Sequence, residues 1–242
     1  MIQIQDTGII TKTRKFGESS LILDIFTLHN GVMKGMVKYA TSTKQNSLYQ
    51  TGNLTEAIWK ARLGEHLGNF KLDLVKSYSS SIINNYLYLE GLSTVMAEIS
   101  LCLPERQPFP NLYNNLLYLL DNLGKDSWIA LFVLWEKNLL AELGFSMDLE
   151  KCALTGATEG LAFVSPKTAR AVTEEAAGIW KDKLLPLPRF MLEKKDDCDK
   201  ISADDVIKGM DLTGFFLNHY VFTGKEPAAR IRFYNLLRKR IK

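Results

Sequence analysis

Residues 8–40 read GIITKTRKFGESSLILDIFTLHNGVMKGMVKYA, and the way their apolar residues alternate decides the fold class. Ile9 and Ile10 run into Lys12, Arg14 and Lys15, and Gly17 closes that strand. In the next run Leu21, Leu23 and Ile25 share one face at period two, and Asn30-Gly31 is a strong hairpin signal. On the return strand Met33, Gly35, Val37 and Tyr39 fall on one face, with Lys34 and Lys38 on the other. The cations therefore face outward.

Working outward, Ile2 and Ile4 alternate with Gln3 and Gln5, and a break is expected at Asp6 to Gly8. Downstream, ATSTKQNS reads as a loop. NLTEAIWKARL then alternates again, with Thr55, Ala57, Trp59, Ala61 and Leu63 on one side and Glu56, Lys60 and Arg62 on the other. A fifth strand is expected at NFKLDLV. About five short strands with no helix needed between them fit a small antiparallel barrel of the OB type.

From Ser80 the period changes to that of a helix. Ile82, Tyr86, Leu89, Leu92, Met96, Ile99 and Leu103 step by three or four until Pro104. Asn111 to Leu123 reads as a second helix stopped by Gly124, and Trp128, Phe132, Trp135, Leu139 and Leu143 mark a third stopped by Gly144. The stretch 145–187 is less regular and reads as a small hairpin followed by a helix starting near Pro166. Ser202 with Asp205 caps a helix reaching about Phe222, and a last helix begins near Pro227. On its wheel Ile231, Tyr234, Leu237 and Ile241 gather on one side, opposite Arg232, Asn235, Lys239 and Lys242. Arg230 falls in the apolar stripe, where it needs a carboxylate, a carbonyl or a path to water. The expected architecture is α+β: an OB-type domain over 1–79, then a mainly helical domain over 80–242 with an irregular hairpin insert around 145–187.

Among 242 residues, 46% are hydrophobic and 24% charged, the balance of a globular chain with a buried core. No apolar run reaches the roughly 18 residues of a membrane span, and MIQIQDTG lacks the features of a secretory leader, so a cytoplasmic protein is expected. Cys102, Cys152 and Cys198 form no CxxC pair, which points to reduced thiols. Charge is uneven: residues 1–80 hold 10 Lys and Arg against 6 Asp and Glu, residues 81–228 hold 14 against 21, and residues 229–242 hold 6 against 0. Basic ends on an acidic middle suggest a polyanion at the ends and other contacts, or plain solvation, between them.

Residues able to break or make covalent bonds are hard to find. His29, His66 and His219 stand at no metal-ligand spacing, and GxSxG, HExxH, GxxxxGK[ST] and GxGxxG are all absent. The paired acids Glu174-Glu175, Asp196-Asp197 and Asp204-Asp205 sit in helix starts or loops, where solvated carboxylates are common. A non-enzyme with no cofactor and no metal is expected. Trp128, Phe132 and Trp135, at helical spacing, read as core. The cations on the N-terminal strands suit a phosphate backbone, although surface lysine also guards strand edges.

The same stretch, with its Phe16-Gly17-Glu18-Ser19 turn, resembles the start of the RecO recombination and repair proteins. LLAELGF followed by Cys152, FVSPKTARAV, and HYVFTGKEPAARIRFYNLL resemble later parts of that family in the same order. The resemblance implies an N-terminal OB barrel and a helical C-terminal domain. It also implies binding of single- and double-stranded DNA, annealing of complementary strands, and a mediator role. In that role the protein works with RecR, contacts the C-terminal tail of single-strand-binding protein, and helps load RecA. Some relatives carry a four-cysteine zinc module after the LLAELG helix; here Thr155 stands at the CxxC partner position of Cys152, and hydrophobic packing with hydrogen bonds is expected to hold that hairpin. The candidate phosphate contacts are Lys12, Arg14, Lys15, Lys34, Lys38, Lys60 and Arg62, assisted by Arg232, Lys239 and Lys242. The alternative is a protein-interaction adaptor whose barrel touches no DNA.

Overall fold

Five strands follow one another before any long helix: β1 (Ile2–Phe16), β2 (Ser20–Thr27), β3 (Gly31–Val37), β4 (Asn53–Ala61) and β5 (Gly68–Ser77). The computed structural model describes residues 1–40, 47–64, 66–192 and 201–241. It closes these strands into a barrel in the order β1-β2-β3-β5-β4, with β4 returning to β1. Every pairing is antiparallel except that of β3 with β5. The expected α+β class is therefore what the chain adopts, an OB-type barrel followed by helices.

β1 is one strand of 15 residues that pairs first with β4 and then with β2, overlapping at Gly8 and Ile9. The break expected at Asp6 to Gly8 does not occur, because the Asp6 side chain works for the fold instead of ending the strand. Its Oδ2 accepts from Asn30 Nδ2 at 2.7 Å and from the His29 amide at 2.9 Å, and its Oδ1 accepts from the Thr7 amide at 2.9 Å and lies 3.0 Å from His29 Nδ1. One buried carboxylate thus fixes the β2–β3 hairpin, which turns through Gly31 at φ 65°. Burial pushes the Asp6 carboxyl up, but the donors from Asn30, His29 and Thr7 outweigh it and hold the group below its ordinary value.

Period two survives into the barrel interior. Leu21, Leu23, Ile25, Met33, Val37, Ala57 and Trp59 are buried together with Phe70 and Leu72. Tyr39 and Leu63, expected on the same faces, are exposed, since β3 ends at Val37 and β4 at Ala61. Gly35 and Gly68 are partners across the parallel seam. A Cβ on Gly68 would lie 2.1 Å from the Trp59 indole, and one on Gly35 would lie 2.5 Å from the Phe70 ring. The two glycines let the aromatics fill the seam, and Trp59 Nε1 donates to the Lys34 carbonyl at 3.0 Å.

The chain packs as two units, one of residues 1–124 with 227–233 and one of 125–226 with 234–242. In the first, a single 3₁₀ turn at Ser79–Ile82 precedes α1 (Tyr86–Cys102), so the helix starts later than Ser80 and Tyr86, its first residue, is exposed. Leu92, Met96 and Ile99 are buried as expected. After α1, Glu105 bridges to Val32 and the Arg106 amide donates to the Val32 carbonyl at 3.0 Å, extending β3 along its other edge. α2 (Pro110–Asp121) holds the end of β5, since Asp121 Oδ1 accepts from Tyr78 Oη at 2.9 Å and from Lys76 Nζ at 2.7 Å. Glu98 of α1 receives the buried Arg230, the carboxylate its position requires.

The second unit is built on α3 (Trp128–Glu142) and α5 (Ala203–Phe216), with Trp128, Phe132 and Trp135 buried. Thr213 donates to the buried Glu136, and Gly209 lets α5 approach Val133. Ser202 caps α5 as expected, accepting from the Asp205 amide at 3.1 Å, and the helix continues through a π turn at Leu217–Val221. β6 (Leu161–Val164) lies between β7 (Ala171–Thr173) and β8 (Leu185–Pro186), with α4 (Glu174–Ala177) between β7 and β8 in sequence. The helix expected near Pro166 is absent. The Ser165 amide donates to the Arg170 carbonyl and the Ala169 amide to the Ser165 carbonyl, both at 2.9 Å, so this segment is the hairpin turn itself.

The last helix, α6 (Ala228–Ile241), starts after Pro227 as expected. Its buried positions are Ala229, Arg230, Phe233 and Leu237, while Ile231 is 45% exposed. The apolar face read from the sequence is thus rotated from the one that packs. Cys198 and the pair Asp196-Asp197 lie outside the described residues.

Candidate nucleic-acid interface

Strand register places the cations. Residues directly opposite each other in an antiparallel pair share a face. Lys12 is opposite Asp24, and Asp24 is opposite Lys34. The next row is Arg14, Ile22 and Met36, and the row after it begins with Phe16 and Ser20. Because Leu21, Leu23 and Ile25 fill the interior, these rows form the outer face of β1, β2 and β3. Lys38 follows one step beyond the Leu21–Val37 pair. Lys12, Arg14 and Lys34 are thereby brought onto one wall, and Lys38 is exposed one residue past the end of β3.

The other candidates are more dispersed. Lys15 is opposite Leu21, an interior position, yet is exposed near the strand's end. The second row continues around the barrel from Met36 through Asn69 to Lys60 and Gln3, so Lys60 lies beyond β5 from the first wall. Arg62 follows the end of β4 and is exposed. Arg232 sits in the first unit on α6, Lys239 is exposed in the second, and Lys242 lies outside the described residues.

Three of these cations already have carboxylate partners. Arg14 Nη2 is 3.5 Å from Asp24 Oδ1, Lys34 is paired with Glu105, and Arg232 Nε is 3.0 Å from Glu90 Oε2. Lys12, Lys15, Lys38, Lys60, Arg62 and Lys239 have no ion pair among the described residues. The face is cationic but carries Asp24 between Lys12 and Lys34 and Glu105 beside Lys34. Glu105 could not be found from the strand pattern, because its effect depends on the chain returning to β3 after α1. Phe16 and Tyr39 are exposed as well; Phe16 lies in the quoted turn, and the interior position expected for Tyr39 does not occur because β3 ends two residues earlier, at Val37.

The second unit has a cavity of about 400 Å³ whose lining includes Ile129, Ala130, Val206, Ile207, Leu237 and Arg240. It offers an apolar floor with the Arg240 guanidinium and the Asp126 carboxylate both in its lining. In the same unit Cys152 is buried, and its Sγ accepts from the Thr173 amide at 3.4 Å. Burial raises the thiol's pKa, but donors from Thr155, Thr173 and Leu154 bring it down to about 6. A structural zinc site needs four protein ligands, and one thiol with Thr155 at the CxxC position does not make that set. The Cys152 loop is held by hydrogen bonds instead: the Cys152 amide donates to the Ala157 carbonyl at 2.7 Å and the Ala153 amide to the Ala171 carbonyl at 2.8 Å. Among the described residues no helix is long and apolar enough to cross a membrane.

Two family models match. Residues 1–78 match the one described as Recombination protein O N terminal, and residues 85–227 the one described as Recombination protein O C terminal. A protein of Jannaschia sp. (strain CCS1) named DNA repair protein RecO is 38% identical over 238 residues, covering 97% of this chain and 96% of the relative. Proteins of the same name are 40% identical in Bartonella quintana (strain Toulouse), over 98% of both chains, and 36% identical in Rickettsia bellii (strain OSU 85-389), over 95% of this chain and 94% of the relative.

Proposed function

The chain belongs to the RecO family of DNA repair proteins, and from that premise we propose that it is a non-catalytic recombination mediator that binds DNA on the barrel's outer face. One observation carries the reading: Lys12, Arg14 and Lys34 share one wall of β1, β2 and β3, with the exposed Lys38 just past the end of β3. Cations at this strand spacing neutralise phosphates without reading sequence, so both single and double strands bind. Annealing follows physically. A surface that screens two backbones lowers their repulsion while leaving base edges free to pair. Lys15, Lys60, Arg62, Arg232, Lys239 and Lys242 would extend the contact, and residues 1–79 would act as the DNA-binding domain.

In this reading the helical region meets protein partners in the cytoplasm: RecR, and the tail of single-strand-binding protein, with RecA loading as the outcome. The Arg240-edged cavity is our candidate for the acidic, aromatic-tipped tail, since an apolar floor beside a guanidinium suits an aromatic group attached to a carboxylate. The test is annealing of complementary oligonucleotides coated with single-strand-binding protein. The protein should accelerate it, and Lys12→Glu with Lys38→Glu should remove most of the acceleration. Retained partner capture with no DNA binding would favour the adaptor reading instead.

A further inference from the structure

We propose that Phe16 and Tyr39 form a stacking platform for unpaired bases at one end of the barrel, an inference that rests on the DNA-binding function proposed above. Phe16 is 54% exposed and Tyr39 is 78% exposed. Strand pairing sets them on adjoining turns. Phe16 is opposite Ser20 across the Gly17–Ser19 turn, and the Ala40 amide, next to Tyr39, donates to the Ser19 carbonyl at 2.8 Å.

Two features separate this end from an ordinary loop tip. Tyr39 adopts φ 57°, a left-handed conformation that costs a side chain roughly 1 kcal/mol. This conformation ends the alternation of β3, and the Tyr39 ring is exposed instead of joining Met33 and Val37 in the interior. Phe16 has no polar atom to compensate for its exposed ring. The second feature is charge: Lys15 and Lys38, each adjacent in sequence to one of the rings, are exposed and have no ion pair among the described residues, and Arg14 lies one row away.

Aromatic faces beside cations are what a single strand needs, because its bases stack while its phosphates are neutralised. Bases inside a duplex have no free face to offer. The platform therefore acts on single strands alone, whereas the cationic wall acts on both forms. It would hold a few bases of one strand splayed while the wall lowers the repulsion of an incoming complement. An apolar contact with another protein is the competing occupant, and the flanking lysines favour the polyanion.

The test compares three probes by fluorescence anisotropy on the full chain: an oligothymidylate, an abasic oligonucleotide of the same length, and a duplex. Wild type should prefer the oligothymidylate over the abasic strand by at least about 30-fold, from stacking on two rings. F16A/Y39A should lose that preference while keeping its affinity for the abasic strand and the duplex within about twofold, which also shows that it folds. F16W/Y39W should keep the preference. Equal binding of oligothymidylate and abasic strand by wild type, or an undiminished preference in F16A/Y39A, overturns the platform and leaves the cationic wall standing. Failure of wild type to bind any probe overturns the DNA-binding reading itself.

Discussion

The ammonium of Lys34 on β3 is paired with the carboxylate of Glu105, which follows α1 and bridges back to that strand. Both side chains are partly exposed, so the pair stabilises the fold by no more than about 1 kcal/mol. Its larger effect is on the wall, where Glu105 cancels one of the three cations aligned by strand register. Glu105→Gln should raise affinity for single-stranded DNA by a few-fold, and the salt dependence should steepen by about one phosphate contact. Oligonucleotide titrations at several salt concentrations measure both quantities. An affinity that stays the same or falls would place Lys34 away from the phosphates.

Arg230 and Glu98 face each other with Nε and Oε1 3.5 Å apart, both residues almost wholly buried. Removing one member of such a pair strands the other charge away from water. Arg230→Ala should destabilise the first unit by about 3–5 kcal/mol, whereas Arg230→Met with Glu98→Leu should recover most of the loss. Urea unfolding followed by circular dichroism reports both. A single variant as stable as wild type would contradict the pairing.

Asp6 supplies a pH dependence. Its folded pKa lies below the ordinary carboxylate value, so its contribution is present above about pH 4 and is lost as pH falls through the folded pKa. Asp6→Asn should cost about 2 kcal/mol at neutral pH, because Oδ2 currently accepts from Asn30 and the His29 amide. The gap between variant and wild type should close in acid. A gap independent of pH between about 2 and 7 would show that the carboxylate's charge is irrelevant to the hairpin.

Arg240 is the cation beside the cavity proposed for the partner's tail. Arg240→Glu should weaken an acidic, aromatic-ended peptide by at least about tenfold, and amidating the peptide's C-terminus should weaken binding to wild type as well. Calorimetry on the full chain measures this. Unchanged peptide affinity in Arg240→Glu would move the tail elsewhere.

How far the sequence led depends on what each element answers to. β4 shows period two without a gap, Asn53, Thr55, Ala57, Trp59 and Ala61 all buried, because each residue faces either a full barrel or water. Local rules failed where a distant group set the outcome. Asp6 resembles a strand breaker until the hairpin 23 residues away donates to it. Arg230 belongs to the packed stripe of α6 because Glu98 lies opposite, and that pairing turns the buried face toward Phe233 and away from Ile231. Ser-Pro-Lys-Thr has the form of a helix start, but the pairing of β6 with β7 makes it a turn. The cations of the proposed wall were legible because register follows from the turns; the acids that oppose them were not, since they arrive from other strands and from the chain after α1.

The central claim is that the barrel's outer wall neutralises DNA phosphates, and the most direct measurement is the affinity for a single-stranded oligonucleotide as a function of salt. With Glu105 holding Lys34, the three contacts of Lys12, Arg14 and Lys38 give a slope of log K against log salt of about −2, or a loss of about 20-fold between roughly 50 and 200 mM. Lys12→Ala with Lys38→Ala should reduce the steepness by about 1.4. An affinity that stays flat across that range in the wild-type protein would contradict the account.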